Sequence, residues 1–384
     1  TNETMVAGLP LKLPQLEIST VGAGGGSIAW IDVDGALCVG PQSAGAVPGP
    51  VCYDQGGQVP TVTDASLHLG RLGADSLLAG ELQMSRSLAT TALDQLCREA
   101  AVDDVDLLAE GIIRLAIAKM AGAIREISVE RGYDPGRAVL VPMGGAGPMY
   151  AADIAGEMGI PRILVPPHPG NMSAIGLLAA DIRHNLTRTW MADLEGLDIG
   201  PLRADLEALR EEGRTLLRDD GFEENQTVFE PAVDMRYRGQ AFELMVPLAD
   251  DIHHEAMGRD FEQLYETRYG FRPEGRGIEI VAIRMVARGK VPALRLKRIG
   301  AHAGGLETAR KGERPVYFNG RWHKGCPVYD RARLGAGAVL AGLAIVEEYG
   351  STTVLPPGWR AEVDDWGHLV ISDRSGEVAN DRQH

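Results

Sequence analysis

The chain has 384 residues, 45% of them apolar and 24% charged, with a formal net charge of −15. That length exceeds the roughly 100–200 residues of one domain, so two or more domains are expected. The acidic balance argues against a binder of phosphate backbones, which needs clustered Lys and Arg, so nucleic acid is excluded as an expected partner.

No apolar run reaches the length of a membrane span: Leu107 to Ile127 is broken by Glu110, Arg114, Lys119, Arg125 and Glu126, so no membrane association is expected. Cys38, Cys52, Cys97 and Cys326 are scattered and form no C-x-x-C pair, which suggests neither a disulfide framework nor a zinc knuckle and fits a reducing cytoplasm. Thr1 to Met5 carries neither the basic nor the apolar region of a secretory leader. Without an initiator methionine, the chain is expected to be a processed product or the remainder of a longer polypeptide.

In chain order, Leu16 to Val21 reads as a short extended run leading into Gly22-Ala23-Gly24-Gly25-Gly26-Ser27. A Walker loop would place Lys before that Ser, and a dinucleotide loop would open a helix, but Ser27 to Val33 is β-rich and Asp34-Gly35 turns it back as a hairpin. Two readings remain: a glycine-rich bulge and turn, or an anion-binding concavity of successive N–H groups. Gly40 to Gly57 is irregular, and loops of this length in compact domains are commonly functional. Asp64 stands before a helical patch, Ser66 to Leu72, as its N-cap; the alternative role is a catalytic carboxylate near a metal-bound phosphate or the substrate.

Asp106 to Arg131 is the longest helical segment, with Ile113, Ile117, Met120, Ile124 and Ile127 forming an apolar stripe at spacings of three and four. It feeds a buried strand over Ala138 to Met143, a turn over Gly144 to Gly147, and a helix from Met149 to Met158 stopped by Gly159 and Pro161. Pro148 suits a first helical turn, where its missing N–H costs nothing. Strand, glycine turn and helix N-terminus can be a bare structural loop or a place where a nucleotide lies against backbone. A further strand, Arg162 to Val165, and a small-residue helix, Ser173 to Asp181, complete an α/β alternation. His168 and Asn171 sit just past that strand, where open α/β sheets place ligands or where polar loop residues are simply solvated.

Beyond Trp190 the character changes. Leu202, Leu206, Leu209, Leu216 and Leu217 mark an amphipathic helix, Val233 to Pro247 reads as two strands around Arg238-Gly239-Gln240, and a helix near Phe261 to Arg268 precedes a strand from Ile278 to Val286. Lys297 to Gly312 looks like a linker, and Val316 to Ile371 reads as a small β domain cut by turn signals, with Ser351-Thr352-Thr353 as ordinary strand composition. No serine elbow, H-E-x-x-H helix or other catalytic signature appears, so no metal site built from this chain alone is expected.

Taken together, Thr20 to Ala29, Val39 to Ala46 with Pro48-Gly49-Pro50, Pro60 to Ala65, Gly144 to Pro148 and Arg236-Tyr237-Arg238-Gly239-Gln240 resemble the hydantoinase A family. That group holds ATP-dependent hydantoinases and 5-oxoprolinases, with subunits of acetone and acetophenone carboxylases. The resemblance implies an α/β fold: an actin-like (RNase-H-like) ATPase lobe over residues 1–190, an α+β elaboration over 191–296, and a linker with the small β domain over 297–384. It implies ATP and Mg²⁺ as cofactors. Gly144, Gly145, Ala146, Gly147 and Pro148 would lie against the adenosine, and Gly24, Gly25, Gly26 and Ser27 toward the phosphates or the substrate. The resemblance implies an Asp-x-Gly-Gly-Thr phosphate loop at the start of family members and a Gly-Gly-Thr-Ser loop shortly before the region where Thr1 begins; neither is in this sequence, so it is expected to be the C-terminal part of such a protein. The implied partners are the N-terminal half of the same protein and a hydantoinase B type subunit. The implied activity is ATP-dependent opening of a cyclic amide such as a hydantoin or 5-oxoproline through phosphorylation of its carbonyl oxygen, with a ketone carboxylase subunit or a non-catalytic scaffold as alternatives.

Overall fold

The computed structural model describes residues 4–6, 9–11, 18–76, 80–249, 251–273, 275–301 and 303–373. Contacts divide the chain into two units: Thr1–Ser173 with Leu296–His384, and Ala174–Arg295. The boundary expected at residue 296 falls within one residue of the observed one, whereas the one expected at 190 lies at 173, and the C-terminal segment joins the first unit because its last strand pairs with residues 162–165. Part of the extended run expected from Leu16 lies outside the described residues.

The first unit starts with an antiparallel pair, β1 (Thr4–Val6) and β2 (Leu9–Leu11). The predicted hairpin follows as β3 (Ser27–Ile31) and β4 (Leu37–Ser43). Its turn is held by Asp32, whose Oδ1 accepts the N–H groups of Asp34 and Ala36 at 3.0 and 2.8 Å, the local self-bonding that makes Asp a turn residue.

Helix α1 (Val62–His68) opens on Thr61, not on Asp64. The Thr61 hydroxyl accepts the Asp64 N–H while the Asp64 carboxylate accepts the Thr61 N–H at 2.8 Å, a reciprocal capping box. Asp64 is thus the third residue of the helix, and the expectation that it would be the cap itself is corrected by one turn. Helices α2 (Arg86–Glu99) and α3 (Val105–Ile127) follow. Asp104 caps α3 by accepting from Asp106 and Leu107, and Ile112, Ile113, Ala116, Ile117 and Ala121 form its buried face. Each fully buried Ile contributes about 1.5–3 kcal/mol. The stripe fades where the core ends: Met120 and Ile124 are half-buried, and Ile127 is exposed.

The strand expected over 138–143 shortens to β5 (Val139–Leu140), with Val139, Val141 and Met143 all exposed. It is the edge of its sheet, and Pro142, lacking an N–H, ends it. Helix α4 (Gly147–Met158) ends at Gly159, whose left-handed backbone (φ 68°) directs its N–H to Ala155 O. Strand β6 (Arg162–Val165) runs parallel to β5, and the boundary between the units falls inside α5 (Met172–Ala179).

The second unit is a four-stranded antiparallel sheet with two helices: β7 (Ile182–Asp193), α6 (Ile199–Asp219), β8 (Thr227–Tyr237), β9 (Leu244–Pro247), α7 (His254–Tyr269) and β10 (Ile278–Gly289), in strand order β7-β10-β8-β9. The predicted leucine stripe of α6 is its buried face, with Leu216 half-buried. Gly213 lets this helix lie flat, since a Cβ there would stand 2.6 Å from the Ala287 Cβ of β10.

The chain then returns to the first unit with β11 (Arg310–Phe318), β12 (Arg321–Asp330), β13 (Val339–Ala341), β14 (Ala344–Glu348), β15 (Ser351–Leu355), β16 (Trp359–Val363) and β17 (Leu369–Asp373). These strands do not form the free-standing β domain that the turn spacing suggests. Strand β17 pairs antiparallel with β6, Leu369 opposite Val165 and Ile371 opposite Ile163, giving the five-stranded order β13-β16-β17-β6-β5. The second sheet, β11-β12-β14-β15, meets α4 along β15, every residue of which is buried.

Candidate functional site

The two glycine loops come together. Gly25, Gly26, Gly145 and Ala146 line one cavity of about 210 Å³, completed by Gly45, Pro50 and Tyr53 from the long irregular loop and by Thr63, Ser66, Met149 and Tyr150. A Cβ placed on Gly25 would stand 3.9 Å from the Ala146 Cβ, so the loops face each other at side-chain contact distance. Gly24, Ser27, Gly144, Gly147 and Pro148 are not among its lining residues. Among the described residues no charged side chain lines the cavity.

Each loop is held by backbone. Gly25 O accepts both the N–H and the hydroxyl of Thr63, at 2.8 and 2.9 Å, and a Cβ on Gly25 would press on that hydroxyl at 2.8 Å. Gly24 N–H donates to Ser27 Oγ at 3.0 Å, and Ala44 N–H donates to Gly26 O at 2.8 Å. In the second loop Gly144 takes φ 82°, a conformation that glycine enters without steric cost. Its N–H donates to Pro169 O at 2.8 Å. The Ser351 hydroxyl donates to Gly145 O at 3.1 Å. Ser351 carried no signal in the sequence, because its role is defined by a contact 206 residues away.

Asp64 is fully buried. Its carboxylate accepts from Val51 N at 3.2 Å, Cys52 N at 2.7 Å, Thr61 N at 2.8 Å and Thr61 Oγ1 at 2.8 Å. A carboxylate so engaged pins the Val51–Cys52 turn against the start of α1 and offers no oxygen to the cavity. Tyr53, carried by that turn, reaches the wall. In this geometry the Asp64 carboxylate is engaged by donors from residues 51, 52 and 61 and positions those segments.

Burial sets the protonation of the wall. It pushes the Tyr53 phenol up, with a smaller electrostatic contribution from the Asp64 carboxylate. It pushes the Tyr150 phenol up as well, against the opposing effects of the Ser66 hydrogen bond and Arg71. Desolvation, followed by the Asp64 charge, raises the Cys52 thiol. The wall therefore stays neutral around neutral pH. Among the described residues no group of three or more His, Cys, Asp or Glu is placed to hold a metal ion, and no helix is long and apolar enough to cross a membrane. His168 and Asn171 lie off this cavity; His168 N–H donates to Glu348 Oε2 at 2.9 Å.

These features define a mixed α/β protein whose two glycine loops share one uncharged cleft. The chain belongs to the hydantoinase/oxoprolinase family: the Hydantoinase/oxoprolinase profile matches residues 1–186 and the Hydantoinase/oxoprolinase C-terminal domain profile residues 200–373. It is 41% identical to an uncharacterized protein of Methanocaldococcus jannaschii over 95% of this chain and 52% of that one. It is 35% identical to the caprolactamase subunit alpha of Pseudomonas jessenii over 92% of this chain and 52% of the relative. The chain thus spans about half the length of these curated relatives. Among solved structures, nucleotide-free acetone carboxylase superposes with a TM-score of 0.88 at 25% identity, over 96% of this chain and 54% of that one. The ATP-dependent caprolactamase from Pseudomonas jessenii superposes with a TM-score of 0.72 at 33% identity, over 95% and 54%.

Proposed function

We propose that this chain supplies the nucleoside-binding side of an ATP-dependent enzyme that opens a cyclic amide. The observation that carries this reading is the cleft between Gly25-Gly26 and Gly145-Ala146, uncharged and walled largely by backbone and small side chains. A purine nucleoside is flat and neutral and suits such a wall; a triphosphate requires Lys, Arg or a metal ion beside it. At about 210 Å³ the cleft falls below the roughly 300–1,000 Å³ of a complete ligand pocket, so it fits the adenosine part alone. In this reading the first unit acts as one lobe of an actin-like ATPase, and the triphosphate and Mg²⁺ are held by another part of the assembly, the N-terminal half of the protein.

Bound ATP would supply a phosphoryl group to the amide oxygen, which converts a poor leaving group into a good one. The residues of this chain contribute position. Thr63 and Ser351 fix the two loop carbonyls, Asp64 fixes the turn carrying Tyr53, and the Ser66–Tyr150 contact joins the helices behind the loops. Holding the nucleoside in one orientation is worth several kcal/mol to a phosphoryl transfer that otherwise depends on chance alignment. A hydantoinase B type subunit would complete the hydrolysis. A second reading, the activating subunit of a ketone carboxylase, is favoured by the likeness to acetone carboxylase.

The test is to purify the full-length protein with its partner subunit and measure ATP hydrolysis with hydantoin, 5-oxoproline, caprolactam, acetone and acetophenone. Stimulation by a cyclic amide with release of the ring-opened acid supports the proposal, and bicarbonate-dependent turnover of a ketone supports the second reading. Absence of ATP hydrolysis with every substrate would leave a non-catalytic scaffold as the reading that stands.

A further inference from the structure

The loop that carries His168 and Asn171 lies off the glycine-loop cleft, yet it is tied to it through the turn between β14 and β15. Gly350 O, at the tip of that turn, would stand 3.1 Å from a Cβ on Gly145 and 3.0 Å from a Cβ on Gly170. The tip therefore fits between the second glycine loop and the His168 loop only because neither carries a side chain there.

Hydrogen bonds close this three-way contact. The Ser351 hydroxyl donates to Gly145 O at 3.1 Å, Gly144 N–H donates to Pro169 O at 2.8 Å, and His168 N–H donates to Glu348 Oε2 at 2.9 Å. Glu348 and Ser351 flank the turn, so one short segment grips the glycine loop twice: directly through Ser351, and by way of residues 168–169 through Glu348.

The second grip holds a costly conformation. His168 takes φ 54°, in the left-handed region that a residue with a Cβ enters only when its surroundings hold it there. Burial pushes the Glu348 carboxyl up, opposed by the Arg331 guanidinium and by the His168 N–H. That N–H is the only hydrogen bond the Glu348 side chain accepts among the described residues. Were His168 released, its relaxation would swing the next peptide and carry Pro169 O away from the Gly144 N–H.

We propose that Glu348 is a positioning residue for the glycine-loop cleft: it holds His168 in its left-handed turn, which keeps Pro169 O on Gly144 and the wall residues Gly145 and Ala146 in place for the nucleoside. This rests on the reading of the cleft as a nucleoside site and adds the element that sets the shape of one wall.

The test separates the Glu348 acceptor from its charge. Glu348→Gln keeps an oxygen for the His168 N–H without the charge; Glu348→Asp keeps the charge beside Arg331 but withdraws the acceptor by one methylene, a change small enough to fold. In the full-length protein, titration calorimetry with ATP should show binding at least tenfold weaker for Glu348→Asp, while Glu348→Gln recovers most of that loss. Without nucleotide, hydrogen exchange should be faster at the Gly144 amide of Glu348→Asp than of the parent, since its acceptor has moved. A merely structural role would lower the melting temperature and leave the ATP Kd of the folded protein unchanged. The inference is overturned if Glu348→Asp binds ATP as the parent does, or if Glu348→Gln is as impaired as Glu348→Asp. Ala146→Leu, which fills the cleft directly, tells its failure from that of the nucleoside reading. If Ala146→Leu weakens ATP and Glu348→Asp does not, only the role of Glu348 falls; if Glu348→Asp loosens the Gly144 amide while neither variant weakens ATP, the nucleoside reading falls and takes the inference with it.

Discussion

The Ser66 hydroxyl lies 2.8 Å from the Tyr150 phenol, with both residues out of solvent, and this contact joins α1 to α4, the helix that the second glycine loop enters. Ser66 Oγ also lies 2.8 Å from Val62 O. With the serine proton directed to Val62, the phenol donates to Ser66. Tyr150→Phe removes that donor without opening space and should cost about 1 kcal/mol, read as a lower urea midpoint with unchanged slope. An unchanged midpoint would show that the two helices are not held by this bond.

Asp64 gathers donors from two segments, 51–52 and 61. Asparagine presents one acceptor oxygen where aspartate presents two, and turns an NH₂ toward donors. Asp64→Asn should therefore strand at least one buried donor and cost about 3 kcal/mol. Because the Val51–Cys52 turn is released, limited proteolysis should first nick the protein within residues 45–57. A nucleophile or general base would instead lose turnover without this change in cleavage pattern, so the comparison separates positioning from chemistry.

Local chemistry made much of this fold legible in the sequence. The glycine turns, the Gly159 stop, the Asp34-Gly35 hairpin and the α6 leucine face each depend on residues within a few positions of one another, and each is found. The departures that shape the architecture share one cause. That β17 pairs with β6, that Ser351 holds Gly145 O, and that Tyr150 reaches Ser66 are long-range facts with no local signature. The Asp64 cap was misplaced because Thr and Asp three positions apart are both good capping residues, and only backbone geometry decides which stands outside the helix.

Burial pushes the Cys326 thiol up to about 11 and raises Cys52 further, whereas an unfolded chain releases such protons near the ordinary thiol range. Below the unfolded value both states hold the proton and stability is unaffected; as pH rises past about 9 the unfolded state ionises first, so stability falls. Urea midpoints should be flat from pH 7 to 8.5 and decline from there toward 11. Iodoacetamide labelling at pH 8, followed by peptide mass spectrometry, should modify the partly exposed Cys38 and spare Cys52 and Cys326 until the protein is denatured.

The C-terminal strands are fastened to the first part of the chain by more than β17. Arg314 donates to Gly70 O at 2.8 Å, and its Nη1 meets the buried carboxylate of Glu347 at 2.6 Å, which Lys311 also meets at 2.6 Å. A fragment of residues 297–384 expressed alone should lack the cooperative unfolding transition of a folded domain. Arg314→Ala in the intact protein should cost about 3 kcal/mol, since it removes one of two cations from a buried carboxylate. A stable, cooperatively folding fragment would restore the independent β domain that the turn spacing suggested.

The decisive substitution for the cleft is at Ala146. Gly145 is the more obvious target, but a Cβ there meets Gly350 O at 3.1 Å, so Gly145→Ala would disturb the β14–β15 turn as well as the cleft, and lost activity would have two explanations. Ala146 already has a Cβ on the cavity wall and an ordinary right-handed backbone. Ala146→Leu therefore fills the cleft without straining the loop. If the purine nucleoside lies there, the ATP KM of the full-length enzyme should rise at least tenfold, about 1.4 kcal/mol, with kcat little changed, as expected when binding common to ground and transition states is removed. Thermal stability should stay within a degree or two of the parent. An unchanged KM in a well-folded variant would mean that the nucleotide binds elsewhere, and the two glycine loops would then be turns and nothing more.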